Sequence, residues 1–108
     1  MVANAPRTPE GWRWNRSATD RIELGREGGP TLLGERTDGE EWRLLYRVER
    51  DRAAVVDALG EIPARDDPRE ALAVAARYIE DRDLPAEHIG ELLVVEDGAV
   101  QCREWRIE

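Results

Sequence analysis

The chain has 108 residues, with 16 arginines, no lysine, 24 acidic residues and a formal net charge of −8. This length suits one folded domain, and the single cysteine, Cys102, excludes an intrachain disulfide. The absence of lysine excludes a P-loop and a Schiff-base lysine, and no H-E-x-x-H, C-x-x-C, G-x-G-x-x-G or G-x-S-x-G motif occurs. We therefore predict no catalytic, cofactor-binding or metal-ligating residues.

The composition resembles that of haloarchaeal cytoplasmic proteins, because the chain is acidic and contains neither lysine nor phenylalanine. The resemblance is one of composition and identifies no functional family. Dense carboxylates keep a surface hydrated, and at 1 M salt a Debye length of about 3 Å screens their mutual repulsion. This interpretation predicts that removing salt abolishes cooperative melting. A GC-rich genome that favours arginine codons is the alternative explanation.

Targeting and membrane-spanning segments are not predicted. No apolar run approaches the roughly 20 residues of a spanning helix. The first eleven residues also lack the basic and apolar regions of a secretory signal, so we expect a cytoplasmic protein. Residues 1–10 contain two prolines and no apolar period, which predicts a flexible tail, and residues 11–108 are predicted to form a single α+β domain.

Alternating apolar and polar residues predict strands in the first half, at 12–15, 20–27, 31–36 and 40–49. In the last of these, Trp42 and Leu44 would face one side and Arg43 the other. Asp38-Gly39 lies between two candidate strands and is typical of a type I′ hairpin turn.

Two helices are predicted in the middle of the chain. Asp51 can cap the first, over residues 52–59, and Gly60 would follow its C-terminus. Asp67 and Pro68 would begin the second, which ends before Leu84-Pro85. Apolar residues recur on its core side at Leu72, Ala75, Ala76 and Ile79. The alanines indicate close packing on the sheet, or contact with a second subunit.

The chain then returns to strand. Residues 90–96 are predicted to be a covered strand, Asp97-Gly98 a second hairpin turn, and residues 99–108 the returning strand with a β-bulge between Cys102 and Trp105. The predicted fold is a two-layer α+β domain, in which an antiparallel sheet of four or five strands carries two helices packed on one face.

Three tryptophans are followed directly by arginine, at Trp12-Arg13, Trp42-Arg43 and Trp105-Arg106. Successive side chains of a strand leave opposite faces of the sheet, so a Trp-Arg pair cannot share one surface. A nucleic-acid-binding sheet needs exposed aromatic rings with basic groups around them. Because the chain has no other large aromatic residues except two tyrosines and Trp14, we predict that the tryptophans pack inward and the arginines face water.

Single residues of chemical interest have simpler structural roles. His88 is predicted to be a surface or packing residue, and Cys102 a small buried apolar residue. Asp66-Asp67 is interpreted as a helix cap, and the D-x-D spacing in residues 80–83 lacks the rest of an EF-hand loop. A catalytic carboxylate pair would have no distinguishing pattern among so many acidic residues.

The charge is divided unevenly: residues 1–50 carry nine arginines and nine acidic residues, and residues 51–108 carry seven and fifteen. We expect a non-enzymatic protein–protein interaction module, plausibly a homodimer, with a partner adding at an exposed sheet edge near Trp12 or at the last strand. One alternative is a nucleic-acid-associated regulator that uses the arginine-rich first half. The residues of that candidate interaction surface are Arg13, Arg16, Arg43 and Arg47. A small enzyme of unknown reaction is the other alternative.

Overall fold

A computed structural model describes residues 7–17, 20–37, 40–50, 52–63, 65–85 and 88–103, with the backbone alone for Arg16, Ser17 and Arg50. The predicted α+β class is confirmed. The elements are β1 (Trp12–Ser17), β2 (Arg21–Arg26), β3 (Thr31–Arg36), β4 (Glu41–Arg50), β5 (Ala53–Pro63), α1 (Pro68–Asp81), α2 (Ile89–Leu92), β6 (Leu93–Glu96) and β7 (Ala99–Cys102).

Five strands form one antiparallel sheet in the order β1-β2-β3-β4-β5. The predicted antiparallel sheet is therefore confirmed, and each strand pairs with the next along the chain. Asp38-Gly39 connects the paired strands β3 and β4 but lies outside the described residues. The face of the sheet toward α1, here the inner face, carries the apolar side chains of the core, including Trp12, Ile22, Leu24, Leu32, Trp42 and Leu44.

Helix α1 forms where its capping residues predict. The Asp67 carboxylate accepts a hydrogen bond from the Arg69 backbone N–H at 3.0 Å, and Pro68 is the first helical residue. The predicted core side is confirmed, since these residues are at most 2% exposed: Leu72, Ala75, Ala76 and Ile79. The helix ends at Asp81, where the Arg82 backbone N–H bonds to the Tyr78 carbonyl.

The helix predicted at residues 52–59 is wrong, because this segment belongs to strand β5. It pairs with β4 over its whole length, from Ala53 opposite Arg50 to Pro63 opposite Glu41. Alanines and a capping aspartate favour a helix locally. The backbone hydrogen-bonding groups of β4, which need a neighbouring strand, and the β-branched side chains of Val55 and Val56 favour a strand. One long helix therefore covers the inner face, and the predicted pair of helices is not found.

The β6–β7 hairpin supplies the rest of the covering layer. Its turn residues, Asp97 and Gly98, have φ angles of 52° and 76°, as the predicted type I′ turn requires. The predicted strand at 90–96 begins only at Leu93, because the preceding residues form the single helical turn α2. Trp105 and the predicted bulge before it lie outside the described residues.

The two described Trp-Arg pairs follow the predicted alternation. Trp12 and Trp42 are 5% and 6% exposed in the core, whereas Arg13 and Arg43 are exposed on the opposite face of the sheet. The third pair, at 105–106, lies outside the described residues. In the part of the chain with described structure, neither helix has the length and apolar character needed to cross a bilayer.

Candidate functional site

The outer face of the five-stranded sheet, opposite α1, carries the candidate arginines in separate rows. Register pairs Arg13 with Gly25, Gly25 with Thr31, and Thr31 with Arg47, so these four residues form one row across four strands, here called the open row. The structure therefore brings Arg13 and Arg47 together. Arg43 lies in another row, and the side chain of Arg16 is outside the description.

The row that contains Arg43 alternates in charge. Its members, here called the paired row, are Arg21, Glu35, Arg43 and Glu61. The Arg43 Nε atom lies 3.7 Å from Glu61 Oε1, with both side chains about half exposed. Glu61 also hydrogen-bonds and repels Glu41, which raises the pKa of Glu41. Arg43 therefore has an acidic partner within the paired row, and such an exposed pair contributes little stability.

The open row contains no acidic residue and borders two depressions that share Thr31. One, of about 550 Å³, is lined by Arg13, Asn15, Gly25, Arg26 and Glu27 among others. The second, of about 390 Å³, is lined by residues that include Arg47 and Glu49. Gly25 is buried, and a Cβ atom there would lie 2.8 Å from Asn15 Nδ2 and 3.2 Å from Thr31 Oγ1, so these two side chains cover the glycine.

A cluster that the sequence did not reveal joins the first two strands to the end of α1. Glu80 Oε1 accepts hydrogen bonds from Trp12 Nε1 at 2.8 Å and from Arg26 Nη1 at 2.5 Å. The Arg26 guanidinium carbon also lies 5.8 Å from the centre of the Trp12 ring. The hydrogen bond from Arg26, and then that from Trp12, lowers the pKa of Glu80. A carboxylate that stays ionised in this way is suited to holding β1 and β2 against α1 rather than to donating a proton.

The free edge of β5 is the second notable surface. Residues 52–58 are exposed, and Val55 and Val56 are 42% and 51% exposed. β5 is the terminal strand of its sheet, so along these residues it has a paired neighbour on one side only among the described strands. The sequence predicts open edges at β1 and the last strand. It does not predict this edge, because residues 52–59 fit a helix pattern.

The remaining candidates have local partners. His88 Nδ1 lies 3.2 Å from Glu91 Oε2, and Cys102 is half-buried with its thiol 3.5 Å from the Arg103 carbonyl oxygen. Over the residues with described positions, no group of three or more histidine, cysteine, aspartate or glutamate side chains is placed to hold a metal ion.

Comparison with known proteins adds no family to this geometry. No family model matches the chain, and no curated protein or solved structure matches it significantly.

Proposed function

We propose that the protein is a non-enzymatic interaction module that pairs with a second copy of itself through the free edge of β5. The observation that carries the proposal is the run of exposed residues at 53–58 on a terminal strand. A terminal strand presents unpaired backbone N–H and C=O groups, which template pairing with another strand. Natural proteins protect such edges with charges, prolines or bulges, and here Asp57 is the only charged residue.

A second copy suits this edge because the segment is compatible with itself. Antiparallel pairing about a twofold axis perpendicular to the sheet keeps inner faces with inner faces. If Val55 lies opposite the partner's Val55, then Ala54 lies opposite the partner's Val56 and Ala53 opposite the partner's Asp57. Apolar side chains then meet on both faces, and no two like charges lie directly opposite each other.

Charge disfavours the registers centred on Val56 and Asp57. Centring the pairing on Val56 would place Val55 opposite the partner's aspartate, and centring it on Asp57 would place two carboxylates in direct opposition. The five residues that pair in this register, 53–57, span about 17 Å and would join two five-stranded sheets into one continuous sheet.

Disulfide trapping tests the register. In a Cys102→Ala background, Val55→Cys places two thiols opposite each other at the twofold axis, and mild oxidation should give a covalent dimer. Val56→Cys is the matched control, because it is equally exposed but lies two positions along the strand from its symmetry mate, beyond disulfide reach. Equal trapping of both variants, or trapping of neither, contradicts the register.

Light scattering at molar KCl tests association itself. The wild-type protein is expected to be a dimer, and Val55→Lys to be a monomer, because two ammonium groups would face each other across the axis. Asn15→Lys introduces the same charge change at an exposed position on β1, the opposite edge, and is expected to remain dimeric. A monomeric wild-type protein at every concentration would end the proposal.

The nucleic-acid alternative has less support. It requires an aromatic stacking platform, but Trp12 and Trp42 are buried on the inner face, opposite the exposed Arg13 and Arg43. A cytoplasmic location remains a prediction.

A further inference from the structure

The polar side chains around the open row have unused hydrogen-bonding groups. Within the described residues, the side chains of Arg13, Asn15, Thr31 and Arg47 take part in no hydrogen bond or ion pair. Three other arginines with described side chains have carboxylate partners: Arg26, Arg43 and Arg77. The open row therefore differs from the paired row on the same face, where Arg43 lies beside Glu61.

Strand register places these groups in one row on the outer face of the sheet. Arg13 and Arg47 are three strand spacings apart, about 14 Å between Cα atoms, and both are long enough to lean over the strands between them. Those strands contribute Gly25, which has no side chain, and Thr31, which has a short one. Asn15 Nδ2 and Thr31 Oγ1 both approach the position where a Cβ of Gly25 would lie. An amide donor and a hydroxyl thus border the space between two guanidinium groups.

We infer that the open row binds the oxyanion of a small phosphorylated or carboxylated molecule between Arg13 and Arg47, above the Asn15 and Thr31 side chains. A guanidinium group matches phosphate and carboxylate oxygens with two parallel hydrogen bonds. The Asn15 amide and the Thr31 hydroxyl supply further donors. Glu27 and Glu49 also line the two depressions, and their negative charges limit the site to a compact anion held between the two arginines. This site lies on the outer face and does not depend on pairing at β5.

Titration with inorganic phosphate at constant ionic strength, followed by the backbone amide NMR signals of Gly25 and Thr31, tests the site. We expect saturable shifts that Arg13→Gln and Arg47→Gln each weaken by about tenfold. Arg43→Gln is the matched control, because it removes the same charge from the same face but from the paired row, and it should leave binding unchanged. Glu49→Gln should strengthen binding by removing a repulsive charge.

Acetate, titrated in parallel, distinguishes the two sources of the oxyanion: tighter phosphate binding assigns phosphoryl groups and tighter acetate binding assigns carboxylates. Each variant's amide spectrum first establishes that its fold is intact. The monomeric Val55→Lys variant should bind as the wild type does, so failure of the dimer and failure of this site are separate results. The absence of saturable shifts, or equal weakening by Arg43→Gln, would overturn the inference.

Discussion

The two edges of the five-stranded sheet, β1 and β5, are held in different ways. β1 carries polar residues, Arg13 and Asn15, on its exposed face, and its register shifts between Trp14 and Arg16 as in a β-bulge. Its tryptophan at position 12 is buried and bonded to Glu80. β5 contributes a fully buried side chain to the core in its second half, where Ile62 is 1% exposed. Charges and bulges discourage strand addition, so β1 is protected and the first half of β5 is not.

The contrast separates two uses of an edge. At β1, one aromatic side chain joins the strand to the core, and its indole N–H is satisfied by a carboxylate that is also bonded to Arg26. In β5, the apolar side chains of Val55 and Val56 extend beyond the core. An edge strand whose side chains pack into the core along its length stabilises the fold. An edge strand that packs at one end only can also pair with a partner strand.

The largest expected effect is at the anchored edge. Trp12→Ala should lower the free energy of unfolding by about 3–5 kcal/mol, because it removes a large buried ring. Trp12→Phe keeps most of the ring and loses the hydrogen bond to Glu80, and should cost about 1–3 kcal/mol. Urea denaturation measures both. If Trp12→Ala lowered the free energy of unfolding less than Trp12→Phe does, packing of the ring would not be what holds β1 to the core.

Within β5, the two halves should respond differently. Ile62→Ala should cost about 2–5 kcal/mol, because the side chain is buried. Val56→Ala should change stability by no more than about 0.5 kcal/mol, because its side chain is half exposed. Both are measured by urea denaturation in the Val55→Lys background, so that association does not contribute. Equal costs would mean that the first half of β5 is as well packed as the second.

The boundary between the halves is at Gly60, where a Cβ atom would lie 2.7 Å from Val95 Cβ and φ is 152°. Gly60→Ala should therefore cost about 1–3 kcal/mol in thermal or urea denaturation, because it overpacks the contact of β5 with β6. Part of this cost should disappear when Val95 is also changed to alanine. A cost that is unchanged in the double variant would assign the effect to backbone strain alone.

The smallest expected effect is the pH dependence of the stability that Glu80 contributes through its hydrogen bonds from Trp12 and Arg26. Because the folded-state pKa of Glu80 is lowered from 4.5, its stabilisation is present at neutral pH and is lost as the pH falls below about 4.5. Glu80→Gln should cost about 1 kcal/mol at pH 7, and the difference from wild type should shrink in acid. Thermal melting across pH measures this difference. A difference that does not vary with pH would mean that the ionised carboxylate has no special role.

Much of the secondary structure could be predicted from local sequence. Strand alternation around Trp42, the Asp67 cap and the Asp97-Gly98 turn each depend on neighbouring residues, and each was predicted correctly. Residues 52–59 could not be assigned in this way, because alanines and a preceding aspartate satisfy a helix pattern as well as a strand. Candidate arginines could be chosen by residue type, but their grouping depends on strand register, which local sequence does not contain.

The sequence by itself determined which side of β1, β2 and β4 would be apolar, since alternation and the hydrophobic effect act residue by residue. It also determined the position of α1 through its cap and its apolar side. The tertiary structure alone decided that β5 is a strand, that Glu80 meets Trp12, and that Arg13 and Arg47 share one row. These outcomes depend on contacts between distant segments, and their free energy exists only when the whole sheet is assembled.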